Sequence, residues 1–344
     1  MKKPLVSIII LTYSNQWNNV KKCLQSFKQV KFISYEIILV DNASIDDTVA
    51  NVKKYYPKVV LIENKKNMGF CEGNNIGLRK SNGEFILFLN NDTEVTPTIL
   101  EPLVEILQKD SSVGVVQPKM RQLIEKDKLD ACASFLTNSG FLYHYGYSQK
   151  ENNKKYNQKL FMYSAKGACF LTRKSLIKKI GLFDPDYFAY FEETDFCHRV
   201  WLSGFTVVYE PRSEMFHLGG GDKKNDHPAR LQVDSYKNRI QTYLKNLGTV
   251  ELIKIIPLHI LSCLAAAIIY LFIGKIAISK GILKAIWWNI SNFANISKKR
   301  KFVQFSLRRI PDSSFIKKIK YNPPFAYYKH FLLDPRGKYK DIKL

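Results

Sequence analysis

The chain has 344 residues, of which 46% are hydrophobic and 13% aromatic, and this composition excludes a disordered or fibrous protein. Its length allows one large domain with an appendage, or two domains. The formal net charge is +23, and residues 275–344 alone carry +14, directly after an apolar segment. That position favours an anionic membrane surface, and not nucleic acid, as the partner of the basic residues.

The first 120 residues alternate short apolar runs with helical patterns. The predicted strands are Val6–Leu11, Glu36–Val40, Val59–Ile62, Phe85–Leu89 and Val113–Val116. The predicted helices are Val20–Phe27, Asp46–Tyr55, Gly73–Lys80 and Thr98–Leu107. Apolar strands separated by helices predict an α/β fold with a mostly parallel, Rossmann-like sheet covered on both faces. Ligands of such sheets bind beyond the carboxyl ends of the strands.

The next part of the chain is less regular. Between Leu123 and Tyr163 the pattern predicts irregular or antiparallel structure. Strands are again predicted at Ala168–Thr172 and Thr206–Tyr209, with a helix at Lys174–Ile180 between them. A basic helix, Pro228–Leu247, is expected to close a first domain of residues 1–250.

Residues 251–344 are predicted to be a basic, apolar, helical region that associates with a membrane. Residues 255–273 contain nineteen positions without a formal charge, which is long enough for a membrane span. Residues 276–294 combine Trp287 and Trp288 with Lys280 and Lys284, as an interfacial helix does. We expect a helical hairpin or two in-plane helices at the membrane surface; a single span and a helix pair buried against the first domain are the alternatives.

The cysteines and the N-terminus predict the compartment. Six cysteines are scattered without C-x-x-C spacing, which is typical of free thiols in a reducing environment. The apolar run Leu5–Leu11 is too short for a signal peptide. We therefore expect a cytoplasmic protein, peripheral or hairpin-anchored at the inner face of the cell membrane.

Polar residues that follow the predicted strands are the candidate ligand-binding residues. Asp41 directly follows a strand and can accept a hydrogen bond from the N3–H of a pyrimidine base. Thr12 and Tyr13 end the first strand and are expected to line the same pocket. No G-x-G-x-x-G or P-loop motif is present, which disfavours a dinucleotide or P-loop site.

Two further positions are candidate metal ligands. Asp92 follows the most apolar strand, where a carboxylate is costly unless it is paired or binds a cation. A hard divalent cation shared with phosphate oxygens meets that need. His217 adds an imidazole, a donor that suits Mn²⁺ better than Mg²⁺. An ordinary turn at Asp92 and a structural histidine are the alternatives.

A cluster of carboxylates predicts acid–base chemistry. Glu192 and Glu193 lie next to an aromatic stretch, where burial and like charges raise a carboxyl pKa and suit one member to be a general base. Asp195 begins a helical pattern and is interpreted either as a contact to an acceptor or as a helix cap.

Taken together, these motifs resemble family 2 glycosyltransferases of the GT-A fold, in particular the rhamnosyltransferase-like branch. The resemblance covers residues 4–247 and is carried by residues 6–13, 40–44, 67–70, 73–75, 89–93 and 192–199. It implies an inverting transfer of a sugar, rhamnose favoured, from a dTDP- or UDP-activated donor. The acceptor would be a hydroxyl of a saccharide or lipid-linked saccharide in cell-surface glycan synthesis.

The resemblance also implies roles for single residues. Asp41, with Thr12 beside it, would bind the base; Asn67 and Gly69 in the loop to Phe70 would contact the nucleotide and diphosphate. The Asn90-Asn91-Asp92 motif would place Asn91 at the nucleotide and Asp92 at Mn²⁺ or Mg²⁺, with His217 completing the metal site. The base would be Glu193, with Glu192 as the alternative. A nucleotidyltransferase and a non-enzymatic membrane-bound polyanion binder are the rival hypotheses.

Overall fold

The computed structural model describes residues 3–14, 16–32, 34–219, 228–324, 326–328 and 341, with the backbone alone for 228–232. The strands are β1 Val6–Thr12, β2 Tyr35–Asp41, β3 Val60–Glu63, β4 Phe85–Asn90, β5 Thr93–Val95, β6 Val113–Gln122, β7 Leu129–Ala131, β8 Ala133–Leu136, β9 Leu142–Tyr145, β10 Leu160–Phe161, β11 Cys169–Arg173 and β12 Thr206–His217. The helices are α1 Trp17–Ser26, α2 Thr48–Tyr55, α3 Gly69–Lys80, α4 Leu100–Lys109, α5 Lys174–Ile180, α6 Glu192–Leu202, α7 Pro228–Asn246, α8 Thr249–Phe272, α9 Ile276–Ser291, α10 Phe293–Lys301 and α11 Ile316–Ile319.

One mixed sheet organises the fold. Its strand order is β10-β12-β6-β11-β4-β1-β2-β3, with β5 paired to β12 and β7 paired to β6. Strands β3, β2, β1 and β4 are parallel, as the sequence predicts, and β11 runs antiparallel to both β4 and β6. The predicted antiparallel region between residues 123 and 163 forms β7 and β10 at the sheet and the separate hairpin β8–β9.

The central strands are apolar on both sides because helices cover both faces of the sheet. In β1, Ile8 and Ile10 belong to one hydrophobic cluster and Ile9 to the other. Side chains alternate between the two faces of a strand, so the continuous apolar run in the sequence is explained by burial on both sides. The carboxyl ends of β1, β2 and β4 therefore meet at one edge of the sheet.

Strand β12 is longer than predicted. The sequence predicts a strand that ends at Tyr209, two residues before Pro211, which lacks the N–H group that a strand ladder needs. In the structure the pairing of β12 with β6 shifts register between Glu210 and Glu214, and the strand then continues to His217. This irregularity accommodates the proline and carries His217 to the same edge of the sheet.

The C-terminal helices α8 and α9 form a hairpin. They pack on each other and on α7, and Gly274 lies in the turn between them with a φ of 76°. By length and composition, α8 is the one helix of the described residues that could cross a membrane, and about 28% of its most apolar window is buried. Large apolar side chains of the pair are exposed, among them Leu261, Leu264, Ile268, Leu271, Phe272, Ile276, Trp287 and Ile290. The location of this hairpin at a membrane stays a prediction.

The residues after position 250 also complete the core of the first domain. Ile255, Val303 and Leu307 belong to the same hydrophobic cluster as β11, α5 and α6. Phe315 stacks on Trp201 of α6 with ring centroids 5.5 Å apart. The predicted boundary at 250 thus lies in a single packed unit, close to the start of α8.

Candidate active site

The end of β2 presents a buried carboxylate. Asp41 pairs in register with Thr12 of β1, and the Thr12 hydroxyl accepts a hydrogen bond of 3.0 Å from the Asn91 amide. Oδ2 of Asp41 accepts a hydrogen bond from the Ser44 backbone N–H, whereas Oδ1 is buried and has no hydrogen-bond partner within the described residues. Tyr13 follows and is 37% exposed. An unsatisfied buried oxygen fits a ligand that donates an N–H, as a pyrimidine base does.

The loop before α3 is held by Asn42, which the sequence analysis did not assign. The Asn42 side chain donates to the carbonyl of Gly69 at 3.0 Å, and the Asn67 side chain accepts from the Gly69 N–H at 2.9 Å. Gly69 has a φ of 80°, and a Cβ there would lie 2.7 Å from the Phe188 carbonyl oxygen. Only glycine therefore lets this loop pack closely against the chain before α6.

The two predicted metal ligands face each other. His217 pairs with Thr93 across β12 and β5, and the Leu218 N–H donates to the Asp92 carbonyl. This brings Nε2 of His217 to 3.3 Å from Oδ1 of Asp92, and that oxygen is buried without a hydrogen bond among the described residues. Such an oxygen beside an imidazole nitrogen fits a divalent cation that takes its other ligands from phosphate and water.

Asp130 on β7 contacts the candidate metal ligand His217, and the sequence analysis did not single it out. Its carboxylate accepts a hydrogen bond of 2.6 Å from Nζ of Lys166 and one of 2.8 Å from Nδ1 of His217. Burial opposes ionisation of Asp130, but these two partners outweigh it and hold the pKa of the carboxyl below its usual value. Burial lowers the pKa of His217, yet the hydrogen bond to Asp130 and the nearby Asp92 carboxylate raise it to about 9. Asp130 orients the His217 ring, as carboxylates behind ligating histidines do.

The described residues supply few ligands to the candidate metal site. Across the described residues, no group of three or more His, Cys, Asp and Glu side chains is arranged to hold a metal ion. Asp92 and His217 would therefore bind a cation only together with other oxygen donors. This arrangement suits Mg²⁺ or Mn²⁺ held against a diphosphate, because such ions keep several ligands from substrate and water.

Glu192 and Glu193 open α6 as a pair of carboxyl groups. The helix begins after Tyr190 and Phe191, which both have a φ of about 70°, so the chain turns sharply into the helix. Burial, and then the charge of Glu193, raises the pKa of Glu192 well above its usual value. Burial also raises the pKa of Glu193 above its usual value. Glu192 is buried and Glu193 is partly exposed, so ionisation is less costly at Glu193 than at Glu192.

Asp195 has a different place from the one predicted. It is the fourth residue of α6, whose N-cap position is Phe191, so the interpretation of Asp195 as a helix cap is wrong. Its fully buried carboxylate pairs with Arg199 at 2.9 Å and with Lys245 at 2.9 Å. Burial opposes ionisation, but these two cations keep the pKa of Asp195 below its usual value. The cap prediction failed because the sequence does not show that the helix starts three residues earlier.

We expect Asp195→Ala to destabilise the protein by about 3–5 kcal/mol, because it leaves the buried Arg199 without a carboxylate partner, although Lys245 keeps its ion pair with Asp184. Asp186→Ala is the control: Asp186 pairs with Lys299 at the surface, and an exposed pair contributes about 1 kcal/mol or less. Urea unfolding measures both. A stable Asp195→Ala protein that has lost only transfer would instead assign Asp195 to the acceptor.

The candidate residues converge through the segment before β11. Asn90, next to Asp92, donates its N–H to the Ala168 carbonyl. A Cβ on Gly167 would lie 3.7 Å from Oε1 of Glu192 and 3.8 Å from Cγ of Glu193. Since Lys166 reaches Asp130 and Asn91 reaches Thr12, the candidate residues for the base, the metal and proton transfer are neighbours in the fold.

The family assignment rests on the sequence of the first half of the chain. The model described as glycosyl transferase family 2 matches residues 7–181. The chain belongs to this family. It is a glycosyltransferase, and its reaction is the transfer of a sugar from a nucleotide sugar. Membership of this family disfavours both rival hypotheses, the nucleotidyltransferase and the polyanion binder.

Relatives of the glycosyltransferase extend beyond the matched region. An uncharacterised glycosyltransferase of Rickettsia typhi is 28% identical over 257 residues, covering 73% of this chain and 75% of that protein. The low-salt glycan biosynthesis hexosyltransferase of Haloferax volcanii is 25% identical over 200 residues, or 56% of this chain and 61% of that protein.

Solved structures confirm the predicted GT-A fold of the glycosyltransferase. GalNAc-T7, solved with UDP, GalNAc and Mn²⁺, superposes with a TM-score of 0.58 at 17% identity, over 71% of this chain and 48% of that chain. The mannosyltransferase PcManGT of Pyrobaculum calidifontis, in complex with GDP-Man and Mn²⁺, gives 0.53 at 16% identity, over 95% and 85% of the two chains. At these identities the likeness shows the fold.

We expect Asp41→Ala to weaken donor binding by about tenfold to a hundredfold, the usual effect of losing a hydrogen bond to a charged group. The turnover number should change less, because Asp41 lies at the base and not at the reacting atoms. Titration with the nucleoside diphosphate measures the loss. Asp47→Ala removes an exposed carboxylate from the same loop and should leave binding unchanged. Equal binding by both variants would contradict the role of Asp41.

Proposed function

We propose that the protein is an inverting, metal-dependent glycosyltransferase that uses a dTDP- or UDP-activated sugar, with rhamnose favoured. The acceptor is a hydroxyl of a saccharide or of a lipid-linked saccharide, and the reaction belongs to cell-surface glycan synthesis. The observation that carries the proposal is the joining of Asp41, Asp92 and the Glu192–Glu193 pair into one site through residues 166–168. The Mn²⁺ of both solved relatives supports the metal.

Each region of the site has one task in this reaction. Asp41 accepts the N3–H of the base with its unsatisfied oxygen, and Asn91 and Thr12 shape the same wall. The Asn67–Gly69 loop offers backbone groups to the diphosphate. Asp92 and His217 would hold Mn²⁺ or Mg²⁺, and a cation bound there neutralises the charge that develops on the departing diphosphate.

Glu193 is the general base. A single displacement at the anomeric carbon requires a proton to leave the acceptor hydroxyl as it attacks. The ionised carboxylate of Glu193 takes that proton, and the deeper burial of Glu192 favours the ionised form at Glu193 over that at Glu192. Because the attack comes from the side opposite to the leaving group, the configuration at the anomeric carbon inverts.

The proposed location is the inner face of the cell membrane. The exposed apolar side chains of α8 and α9, together with the basic residues that follow, fit a surface that is apolar inside and anionic outside. All six cysteines are buried and unpaired, as is usual in a reducing compartment.

A panel of nucleotide sugars tests the proposal. Purified full-length protein is incubated with dTDP-rhamnose and with UDP- and GDP-hexoses, with and without Mn²⁺, and a membrane extract supplies the acceptor. We expect metal-stimulated release of nucleoside diphosphate from a dTDP- or UDP-sugar. Release from GDP-hexoses alone would contradict the pyrimidine role of Asp41, and release that EDTA leaves unchanged would contradict the metal.

A further inference from the structure

A second cavity lies between the catalytic domain and the C-terminal hairpin. It has a volume of about 600 Å³ and is bounded by α7, by α8, by the β8–β9 hairpin and by Asn322, Tyr327 and Tyr328. Its walls differ in character. Arg239 of α7 and His144 of β9 give one side polar groups, and a stripe of α8 gives the other side apolar ones.

Arg239 is the charged group of this cavity, and its hydrogen-bonding capacity is largely unused. Nε and Nη1 are buried without a hydrogen-bond partner within the described residues, and Nη2 reaches only the Ser235 hydroxyl, at 3.5 Å. Leaving buried donors of a charged group unsatisfied is costly. The planar guanidinium offers the donor geometry that phosphate oxygens match.

Aromatic rings fix the position of Arg239. Its guanidinium carbon lies 4.7 Å from the centroid of the Phe141 ring and 5.1 Å from that of Phe191. Phe191 directly precedes Glu192 and Glu193. An anion bound at Arg239 would therefore lie beside Phe191, at the start of α6.

The opposite wall leads out to the exposed surface of the hairpin. Four residues of α8 line this wall at helical spacing: Leu258, Ser262, Ala265 and Ile269. The side chains of Ser262 and Ala265 are small, so the cavity is wide beside them. Leu258 is 43% exposed and Ile269 is 37% exposed, so the cavity opens directly onto the apolar face of α8. An occupant with an anionic head can thus continue as a hydrocarbon chain along this helix.

We infer that this cavity binds the carrier of the acceptor: a phosphate or diphosphate ester of a long hydrocarbon, with the phosphate at Arg239 and the chain along α8. The inference rests on the proposed function, because it assigns the lipid part of the acceptor of that same reaction. Neither wall alone selects this ligand. A free phosphate would leave the apolar stripe uncovered, and a neutral lipid would leave the buried guanidinium unsatisfied.

Binding of a defined lipid tests the inference without catalysis. The full-length protein in mild detergent is titrated with radiolabelled geranylgeranyl diphosphate in the presence of EDTA, so that binding of the diphosphate to a metal at Asp92 does not contribute. Geranylgeraniol and inorganic diphosphate are the competitors. We expect each competitor to bind at least about tenfold more weakly than the prenyl diphosphate, since each lacks one of the two contacts.

Three variants locate the site. Arg239→Gln should remove the preference for geranylgeranyl diphosphate over geranylgeraniol, and Ala265→Trp, which fills the cavity from an exposed position, should prevent the binding of both. Leu261→Trp places the same side chain on the outer face of α8, where it is 64% exposed, and should bind like wild type. Thermal unfolding of each variant shows that it is folded.

The outcomes separate this inference from the proposed function. Equal binding of the alcohol and the diphosphate, a preference that survives in Arg239→Gln, or inorganic diphosphate binding as tightly as the lipid would each overturn the inference. Metal-stimulated release of nucleoside diphosphate is measured on the same preparation. If release occurs and the lipid does not bind, the proposed function stands and the cavity has no such role; if neither is seen, both fail.

Discussion

Replacing Glu193 with glutamine is expected to lower the turnover number by a factor of about 10² to 10⁴, the usual contribution of a general base. The affinity for the donor should not change, because Glu193 does not contact the nucleotide. Glutamine keeps the size of the side chain and its hydrogen bond with Thr194, so the loss reports the missing proton acceptor. Steady-state rates at saturating donor measure it.

Glu192→Gln is the matched control. Glu192 is the more deeply buried of the two and is not the proposed proton acceptor, so most of the activity should remain in its glutamine variant. The opposite result, an active Glu193→Gln protein and an inactive Glu192→Gln protein, would exchange the two roles. The glutamines thus decide a question that the sequence alone leaves open.

The pH dependence of wild-type turnover gives an independent readout. Burial raises the pKa of Glu193 above its usual value, and the base works only in its ionised form. The rate should therefore be constant well above that raised pKa and fall as the pH decreases through it. In Glu193→Gln this acidic limb should disappear from the residual rate.

Replacing Asp92 with asparagine is expected to lower turnover on the order of 10³-fold, because the site loses the carboxylate that holds the divalent cation. Removal of metal from the wild-type protein with EDTA should have the same effect, and added Mn²⁺ should restore the wild type but not the variant. The measurement is release of nucleoside diphosphate over a series of Mn²⁺ concentrations.

Glu94→Gln removes a negative charge two residues away, on β5, and should leave the response to Mn²⁺ unchanged. An Asp92→Asn protein that responds to Mn²⁺ like wild type would contradict the assignment. A variant that needs only a higher Mn²⁺ concentration would show that His217 and the substrate hold the ion without Asp92.

The sequence predicted the part of the site that lies at strand ends. Asp41 and Asp92 follow long apolar runs, and the rule that parallel strands bind ligands at their carboxyl ends was enough to select them. The prediction was less accurate where geometry depends on pairing over long distances. The sequence does not show that β12 passes Pro211 and pairs with β5, yet this pairing brings His217 to Asp92.

For three other residues, the sequence did not indicate the contacts that they make in the structure. Asp130 stands in a short strand of an irregular region, and its contact with Lys166 and His217 joins residues 36 and 87 positions apart. Arg239 belongs to a basic helix, where one arginine among many polar side chains gives no indication of an unsatisfied guanidinium. Asp195 was misread because aromatic residues with left-handed backbone conformations, and not a polar cap, start α6.

Residues after position 250 complete the core of the first domain, and this limits how the protein can be truncated. A soluble enzyme is commonly sought by deleting an apolar tail, here everything after α7. Such a truncation would also remove Val303, Leu307 and Phe315 from the core and leave the buried face of α6 open to water. Polar replacements on the outer side of α8, at Leu261, Leu264 and Ile268, would make this exposed surface less apolar and keep those contacts in place.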